Sequence, residues 1–326
     1  MTAMEHPEHP EHPATTPDPT KALELLVETL LAADYHFITP TPASHARVNA
    51  RPGNAWARDL QGVFGWSRPF SREVLPESLI EALAAAELLT EVPGGWRSRV
   101  RVSSLGDQLF VHSAYPTDEA DAVFFGPDTY RYANALEAQL RFETGTIRRA
   151  VDIGSGAGPG AILVALARPD AEVLAVDINQ RALALTRVNA ALAGADNLQA
   201  CYSNLLKDVD GDFDFILSNP PYLVDPGERA YRHGGGALGA GLSLAILDTA
   251  LERLAPGGTL LLYTGVAMVE GRDPFLEEVR TRLADQDVAW RYRELDPDVF
   301  GEELESGVYA HTDRIAAVVL TVTRPH

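Results

Sequence analysis

Two carboxylates and three glycines in the middle of the chain are spaced to hold a nucleoside. The run Val151-Asp152-Ile153-Gly154-Ser155-Gly156-Ala157-Gly158-Pro159-Gly160 places glycine at every second position from Gly154 to Gly158. A backbone of that kind turns tightly and approaches a ligand without side-chain interference, just before a helix N-terminus. The spacing is Gly-x-Gly-x-Gly, which differs from the dinucleotide pattern Gly-x-Gly-x-x-Gly. Asp152, two residues before the first glycine, would repel a pyrophosphate and would suit a ligand with an ammonium group. Asp177 closes the next apolar run (EVLAVD), 23 residues after Gly154, where a carboxylate can accept hydrogen bonds from both ribose hydroxyls. Capping of the helix that begins near Gln180 is the competing reading of Asp177. A later apolar run ends in Ser218-Asn219-Pro220-Pro221-Tyr222, an amide and a flat ring held by two stiff prolines.

These residues need a sheet to bring them together. After a helix at about Tyr130 to Phe142, strand candidates are Arg149 to Ile153, Glu172 to Asp177, Leu198 to Tyr202, Phe213 to Ser218, Thr259 to Tyr263, Val288 to Glu294 and Ile315 to Thr323. Helix candidates between them are Pro159 to Ala167, Gln180 to Ala193, Leu242 to Leu254 and Pro274 to Ala284. Such alternation predicts an α/β fold, a doubly wound, mostly parallel, seven-stranded Rossmann-like sheet with helices on both faces. Ligands sit at the carboxyl ends of the strands in such sheets. Cys201, the single cysteine, excludes an internal disulfide and a multi-cysteine zinc site. It reads as a small buried strand residue and not as a nucleophile.

Upstream lies a smaller unit. A 3.6-residue period puts Leu23, Leu26, Val27, Leu30 and Leu31 on one face of a helix from Lys21 to about Asp34. A second helix is expected at residues 77–89. Trp96 to Ser104 and Leu109 to Ala114 then read as strands around the Gly106-Asp107 turn, which suggests a winged-helix-like unit. Arg97, Arg99 and Arg101 alternate along the first of those strands and should share a face. With Arg47, Arg51, Arg58, Arg68 and Arg72 they form the one basic concentration, read either as a charged strand edge or as a contact for RNA or an acidic partner. The expected division is residues 1–20 as a disordered acidic tail, 21–122 as an accessory, substrate-recognition domain and 123–326 as the ligand-binding domain. The tail holds three Glu-His-Pro units, and proline at every third residue forbids helix there.

The chain has 326 residues, 46% of them apolar, which is enough for a sizeable core. No stretch is long and apolar enough to span a bilayer, and the N-terminus lacks a signal-peptide pattern, so a cytoplasmic protein is expected with no membrane partner. A net charge of -19 disfavours diffuse phosphate binding over the whole surface. Residues 21–145 hold 16 acids and 11 bases against 26 and 16 in residues 146–326, so any nucleic-acid contact would be local to the accessory unit.

VDIGSGAGPG, AVD and above all Ser218-Asn219-Pro220-Pro221-Tyr222 resemble class I S-adenosylmethionine-dependent methyltransferases, over about residues 125 to 323. The Asn-Pro-Pro-Tyr subgroup includes the HemK-like, "methyltransferase small" enzymes acting on release-factor glutamine and others acting on exocyclic base amines. The resemblance implies S-adenosyl-L-methionine as cofactor, with no metal. It places Asp152, Gly154, Ser155, Gly156 and Gly158 at the methionine moiety, Asp177 and Ile178 at the ribose, and Ser203, Asn204 and Leu205 at the adenine. Asn204 departs from the family's usual Asp but still offers a donor and an acceptor. The resemblance also implies that Phe124 to Tyr132 folds over the cofactor, with Tyr130 at the adenosine and Phe125 and Tyr132 shaping the acceptor pocket. Arg232 and His233, in the loop Tyr231 to Gly236, are candidate substrate contacts.

Transfer from a sulfonium is an in-line displacement that needs a nitrogen lone pair aimed along the S–CH3 axis. An amide or aromatic amine delocalises that pair. The Asn219 side-chain oxygen and the Pro220 carbonyl, accepting from the two N–H groups, would orient the NH2 and localise the pair as reaction proceeds. Tyr222 would offer a flat face to a planar acceptor. Methyl transfer to a protein glutamine or an RNA base is therefore the leading expectation. Alkylation of a small metabolite or of the cofactor itself is the alternative, and a non-catalytic cofactor-binding scaffold is the alternative of another class.

Overall fold

The computed structural model describes residues 19–326 apart from Thr144, Pro226, Glu228, Ala230 and Ser306. The Glu-His-Pro tail lies outside the described residues, and Pro19 and Thr20 already belong to the first helix. That helix, α1 (Pro19–Ala32), buries Leu23, Leu26, Val27 and Leu30, as its period requires, but leaves Leu31 59% exposed. α2 (Pro42–Asn49) and α3 (Leu60–Phe64) follow, each capped by a side chain: Thr41 accepts from the Ser44 amide and Asp59 from the Gly62 amide. α4 (Glu77–Ala85) stops short of the expected residue 89 because Glu87 takes a left-handed φ of +57°.

The expected long strand from Trp96 to Ser104 is two strands interrupted at Arg99. β1 (Leu89–Val92) pairs with β2 (Gly95–Ser98), whereas β3 (Val100–Leu105) pairs with β4 (Gln108–Ser113). Two hairpins therefore stand where a single wing was expected, and the interruption breaks the alternation of the three arginines. Arg97 is exposed, Arg99 pairs with Glu119 at 3.1 Å, and Arg101 is only 5% exposed. The Arg101 Nε donates to the Gly65 carbonyl at 2.6 Å and its guanidinium lies over the Phe37 ring. Burial lowers its pKa to about 10. No shared arginine face exists.

α5 (Pro127–Phe142) opens the second part with proline in its first turn and Asp128 where the helix dipole favours an acid. Then come β5 (Arg149–Ile153), α6 (Pro159–Ala167), β6 (Glu172–Asp177), α7 (Gln180–Ala193), β7 (Leu198–Tyr202), β8 (Phe213–Ser218), α8 (Gly241–Arg253), β9 (Leu254–Met268), α9 (Pro274–Leu283), β10 (Ala289–Asp296) and β11 (Arg314–Thr323). The seven strands form one sheet in the order β10-β11-β9-β8-β5-β6-β7. It is parallel except at β11, which runs against both its neighbours. Strand order reverses between β5 and β8, and a crevice forms at the carboxyl ends there. β5, β8 and β9 read as continuous apolar runs because helices cover both faces.

The hairpin of β3 and β4 is welded to the second part. Asn189 of α7 is fully buried, accepts from the Val111 amide at 2.9 Å and donates to the Val111 carbonyl at 3.0 Å. The same amide donates to the Ala157 carbonyl in the glycine turn at 2.9 Å. One hydrophobic cluster runs from Leu26 and Leu30 through Val111 to Leu183 and beyond.

Candidate active site

The crevice contains a cavity whose walls come from the ends of β5, β6, β7 and β8. Ser218 Oγ donates to the Ile153 carbonyl at 2.6 Å, which holds the turn after β8 beside the turn after β5. In the latter, Gly154 and Gly156 adopt φ of +73° and +58°, and a Cβ on either would meet nothing within 4 Å. Both positions thus combine a left-handed backbone with open space toward the cavity. Gly158 serves another purpose, since a Cβ there would crowd Thr186 of α7, and it does not line the cavity.

Asp152 sits at the bottom. Its Oδ2 accepts from the Ala161 amide at 3.0 Å and its Oδ1 from the Tyr132 hydroxyl at 3.4 Å. Burial raises its carboxyl to about 7, partly offset by those two donors, with a further upward push from Asp177. A buried carboxyl so raised is poised to be ionised by a cation. Asp177 accepts from the Gly156 amide and the Asn179 amide, each at 2.9 Å. It does not cap α7, because Asn179 does so through the Arg181 amide. Next to it Ile178 is 52% exposed while lining the cavity, an apolar surface awaiting cover. The Ser203 hydroxyl accepts from the Asp208 amide, and Asn204 and Leu205 complete that end of the wall.

The structure places Asn219, Pro220, Pro221 and Tyr222 on the same wall. The Asn219 side chain has no hydrogen-bond partner among the described residues and is half-buried, so its oxygen is free to accept. Tyr222 is fixed: its hydroxyl donates to Asp128, and its ring lies where a Cβ on residue 265 would stand, so Gly265 of β9 is what admits it. Asp128 also accepts from the Tyr263 hydroxyl at 2.8 Å and Arg131 at 3.1 Å. Burial pushes the Asp128 carboxyl up against the pull of these donors.

Among the other expected contacts, Tyr132 and Arg232 line the cavity. Tyr130, Phe125 and His233 do not. The Tyr130 hydroxyl accepts from the Thr39 amide, Phe125 stacks on His112 at 5.1 Å, and His233 Nδ1 accepts from the Asp225 amide. Each fills a packing or backbone-tying role because the chain turns at Gly126, which aims Phe124 and Thr129 at the cavity instead. Arg232 is engaged by Glu303 and Asp225. Cys201 is half-buried on β7 and its thiol is raised by burial. Sequence reasoning missed Asp128, Tyr231, Tyr263 and Phe300. The aromatic run before α5 hinted at Asp128, whereas Phe300 sits after β10 with no local signal.

The fit of these residues to S-adenosylmethionine rests on one unsatisfied atom. Ser155 Oγ is buried without a partner among the described residues and lies on the cavity wall; such a hydroxyl costs stability unless a ligand meets it. Together with the raised Asp152 for an ammonium group, Asp177 for vicinal hydroxyls and uncovered Ile178, the cavity has the donors and acceptors the cofactor needs.

Comparison with known proteins agrees. Residues 133–268 match the family model described as methyltransferase small domain. Release factor glutamine methyltransferase of Deinococcus radiodurans is 34% identical over 57% of this chain and 66% of that protein. Its counterpart in Salmonella typhimurium is 36% identical over 43% of this chain and 53% of that protein. A 4-amino-L-phenylalanine/4-methylamino-L-phenylalanine methyltransferase of Streptomyces pristinaespiralis is 36% identical over 40% of this chain and 48% of that protein. The chain thus spans about half to two thirds of the curated relatives it matches. No helix among the described residues is long and apolar enough to cross a membrane. With its glycine turn, two carboxylates and prolyl turn on one cavity, the chain carries a methyltransferase small domain of the S-adenosylmethionine-dependent, HemK-like group.

Proposed function

We propose that this protein transfers a methyl group from S-adenosylmethionine to a planar nitrogen, and that the acceptor is a glutamine side-chain amide in a protein. The observation that carries this reading is the unpartnered Asn219 amide beside a Tyr222 ring clamped by Asp128. The cofactor supplies an electrophilic methyl. Asn219 and the Pro220 carbonyl accept from the two N–H groups of the acceptor and aim its lone pair. Two prolines hold that geometry without reorganisation. No strong base is needed, because the nitrogen becomes acidic once methylated and sheds its proton to solvent.

The loss of the arginine face removes the feature that had favoured an RNA acceptor, and the release-factor relatives favour the protein amide. A small aryl amine is a second reading, supported by Phe124, Tyr231 and Phe300 on the cavity wall and by the relative named for an amino-phenylalanine. The folded unit of α1 to β4 is proposed to present the substrate, with the Asn189 joint fixing its position. Labelled methyl transfer into cell extract, followed by separate protease and nuclease digestion, tests the proposal. Protease-sensitive label supports the protein amide, label in small molecules supports the aryl amine, and nuclease-sensitive label refutes both. For Asn219→Ala, cofactor affinity should persist while the transfer rate falls by about 100-fold or more.

A further inference from the structure

The connection after β10 folds back over the cavity instead of projecting into solvent. Four contacts fasten it to the catalytic side. Asp296 pairs with Arg131 at 2.9 Å, Glu303 pairs with Arg232, the Tyr309 hydroxyl accepts from the Val224 amide at 2.9 Å, and the Phe300 ring meets Tyr222 edge-on with centroids 5.8 Å apart. Phe300 lines the cavity and holds a φ of +53°. A bulky residue in the left-handed region is uncommon and persists only where its surroundings dictate it. Residues 296–309 also fall outside 133–268, the part that matches the family model. This wall of the cavity therefore lies outside the residues that match the family model.

Resting on the methyltransferase reading above, we infer that Phe300 is the specificity-determining residue of the acceptor site. With Tyr222 it forms an aromatic corner beside the Asn219 amide. Phe124, Leu223 and Tyr231 add further apolar and aromatic surface nearby, and Arg232, the one cation on the wall among the described residues, is neutralised by Glu303 and Asp225. A slot of that kind takes a flat, neutral amide or aryl amine and selects by shape. The Phe300 ring limits how bulky a group can carry the reactive NH2. Its backbone is held at both flanks, by Asp296 and by Glu303, so the ring acts as a fixed wall and not as a mobile flap.

The test compares wild type, Phe300→Leu and Phe300→Ala in labelled methyl transfer to two probes, a blocked Gly-Gln-Gly peptide and 4-methylaniline, with cofactor affinity measured by calorimetry in parallel. Cofactor Kd should stay within about twofold, since Phe300 touches the acceptor end. The ratio of kcat/KM for the two probes should shift by about tenfold in Phe300→Ala, with Phe300→Leu intermediate, or activity should appear on a probe that wild type rejects. A ratio within about twofold of wild type, with cofactor binding kept, overturns the inference. Should Phe300→Ala misfold, the same ratio in Phe300→Leu decides. Failure of wild type to methylate either probe or any extract component, despite binding cofactor, refutes the methyltransferase reading and this inference with it.

Discussion

The Tyr222 hydroxyl donates to the buried carboxylate of Asp128, 94 residues away in sequence and on a different element. Tyr222 belongs to the prolyl turn after β8 on the cavity wall, and Asp128 to the first turn of α5. The bond is one of three on that carboxylate, with Tyr263 and Arg131 supplying the others, so the orientation of one ring is set by a small buried network.

Asp128→Asn and Tyr222→Phe should each leave cofactor affinity nearly unchanged and lower kcat by about tenfold, with the double variant no worse than either single. Steady-state rates and calorimetry on the three variants check this. Additive losses would show that the two residues act separately. Asp128→Ala is a harsher change, leaving the Tyr222 and Tyr263 hydroxyls without their acceptor and Arg131 with Asp296 alone, and should destabilise the fold by about 3 kcal/mol in chemical denaturation.

Cofactor affinity should depend on pH through Asp152. Burial holds this carboxyl at about 7 in the free protein, and a cationic ligand group favours its charged form. Binding below that pH must therefore expel a proton, and affinity should fall by up to about tenfold per unit as pH drops from 7. The free protein shows the opposite trend for this group. Its raised pKa means that the stabilising contribution is present below the ordinary carboxylate value of 3.8 and is lost as pH rises from there through about 7. The cofactor should accordingly protect against thermal unfolding more at pH 8 than at pH 6. Calorimetry at pH 6 in buffers of different ionisation enthalpy reads the proton directly, and zero release there would reject the role given to Asp152.

Ser155→Ala separates a ligand contact from a structural one. The hydroxyl is buried and unpaired in the free protein, so removing it should leave the unliganded Tm unchanged or slightly raised while cofactor Kd rises by about tenfold. A drop in the unliganded Tm would assign Ser155 to the fold.

Asn189→Leu strands the Val111 amide and carbonyl and the Ala157 carbonyl without their partner. The expected cost is about 2–4 kcal/mol of stability, with weaker cofactor binding because the glycine turn loses a support. Denaturant titration with and without cofactor measures both.

Most of the sheet was legible because its strands are buried on both faces and bounded by glycine and proline; strand limits such as Phe213–Ser218 agree to the residue. Asp152, Asp177 and the glycine turn were legible for a related reason, since they fall at the ends of two adjacent strands, and the structure brings them to one cavity. What was not legible depends on contacts across long separations. Arg101 was expected on one face with Arg97 and Arg99, as a charged strand edge or a contact for RNA or an acidic partner, and only the interruption at Arg99, set by pairing of β2 with β1 and β3 with β4, turns it inward. Tyr130 was expected at the adenosine and Phe125 at the acceptor pocket, yet the turn at Gly126 rotates them into the core and leaves Phe124 at the cavity. Phe300 reaches the site from a loop whose conformation is set by Arg131, Arg232 and Val224, none of them neighbours in sequence.

The joint made by Asn189 bears on how this chain can be taken apart. One side-chain amide satisfies strand β4 and the glycine turn after β5 at once, and the apolar cluster crosses the same seam. The two units are therefore not exchangeable cassettes: cutting near residue 122 would expose an unpaired strand edge on one piece and an orphaned amide on the other. A different N-terminal part grafted onto residues 123–326 would have to bring its own strand to the same asparagine.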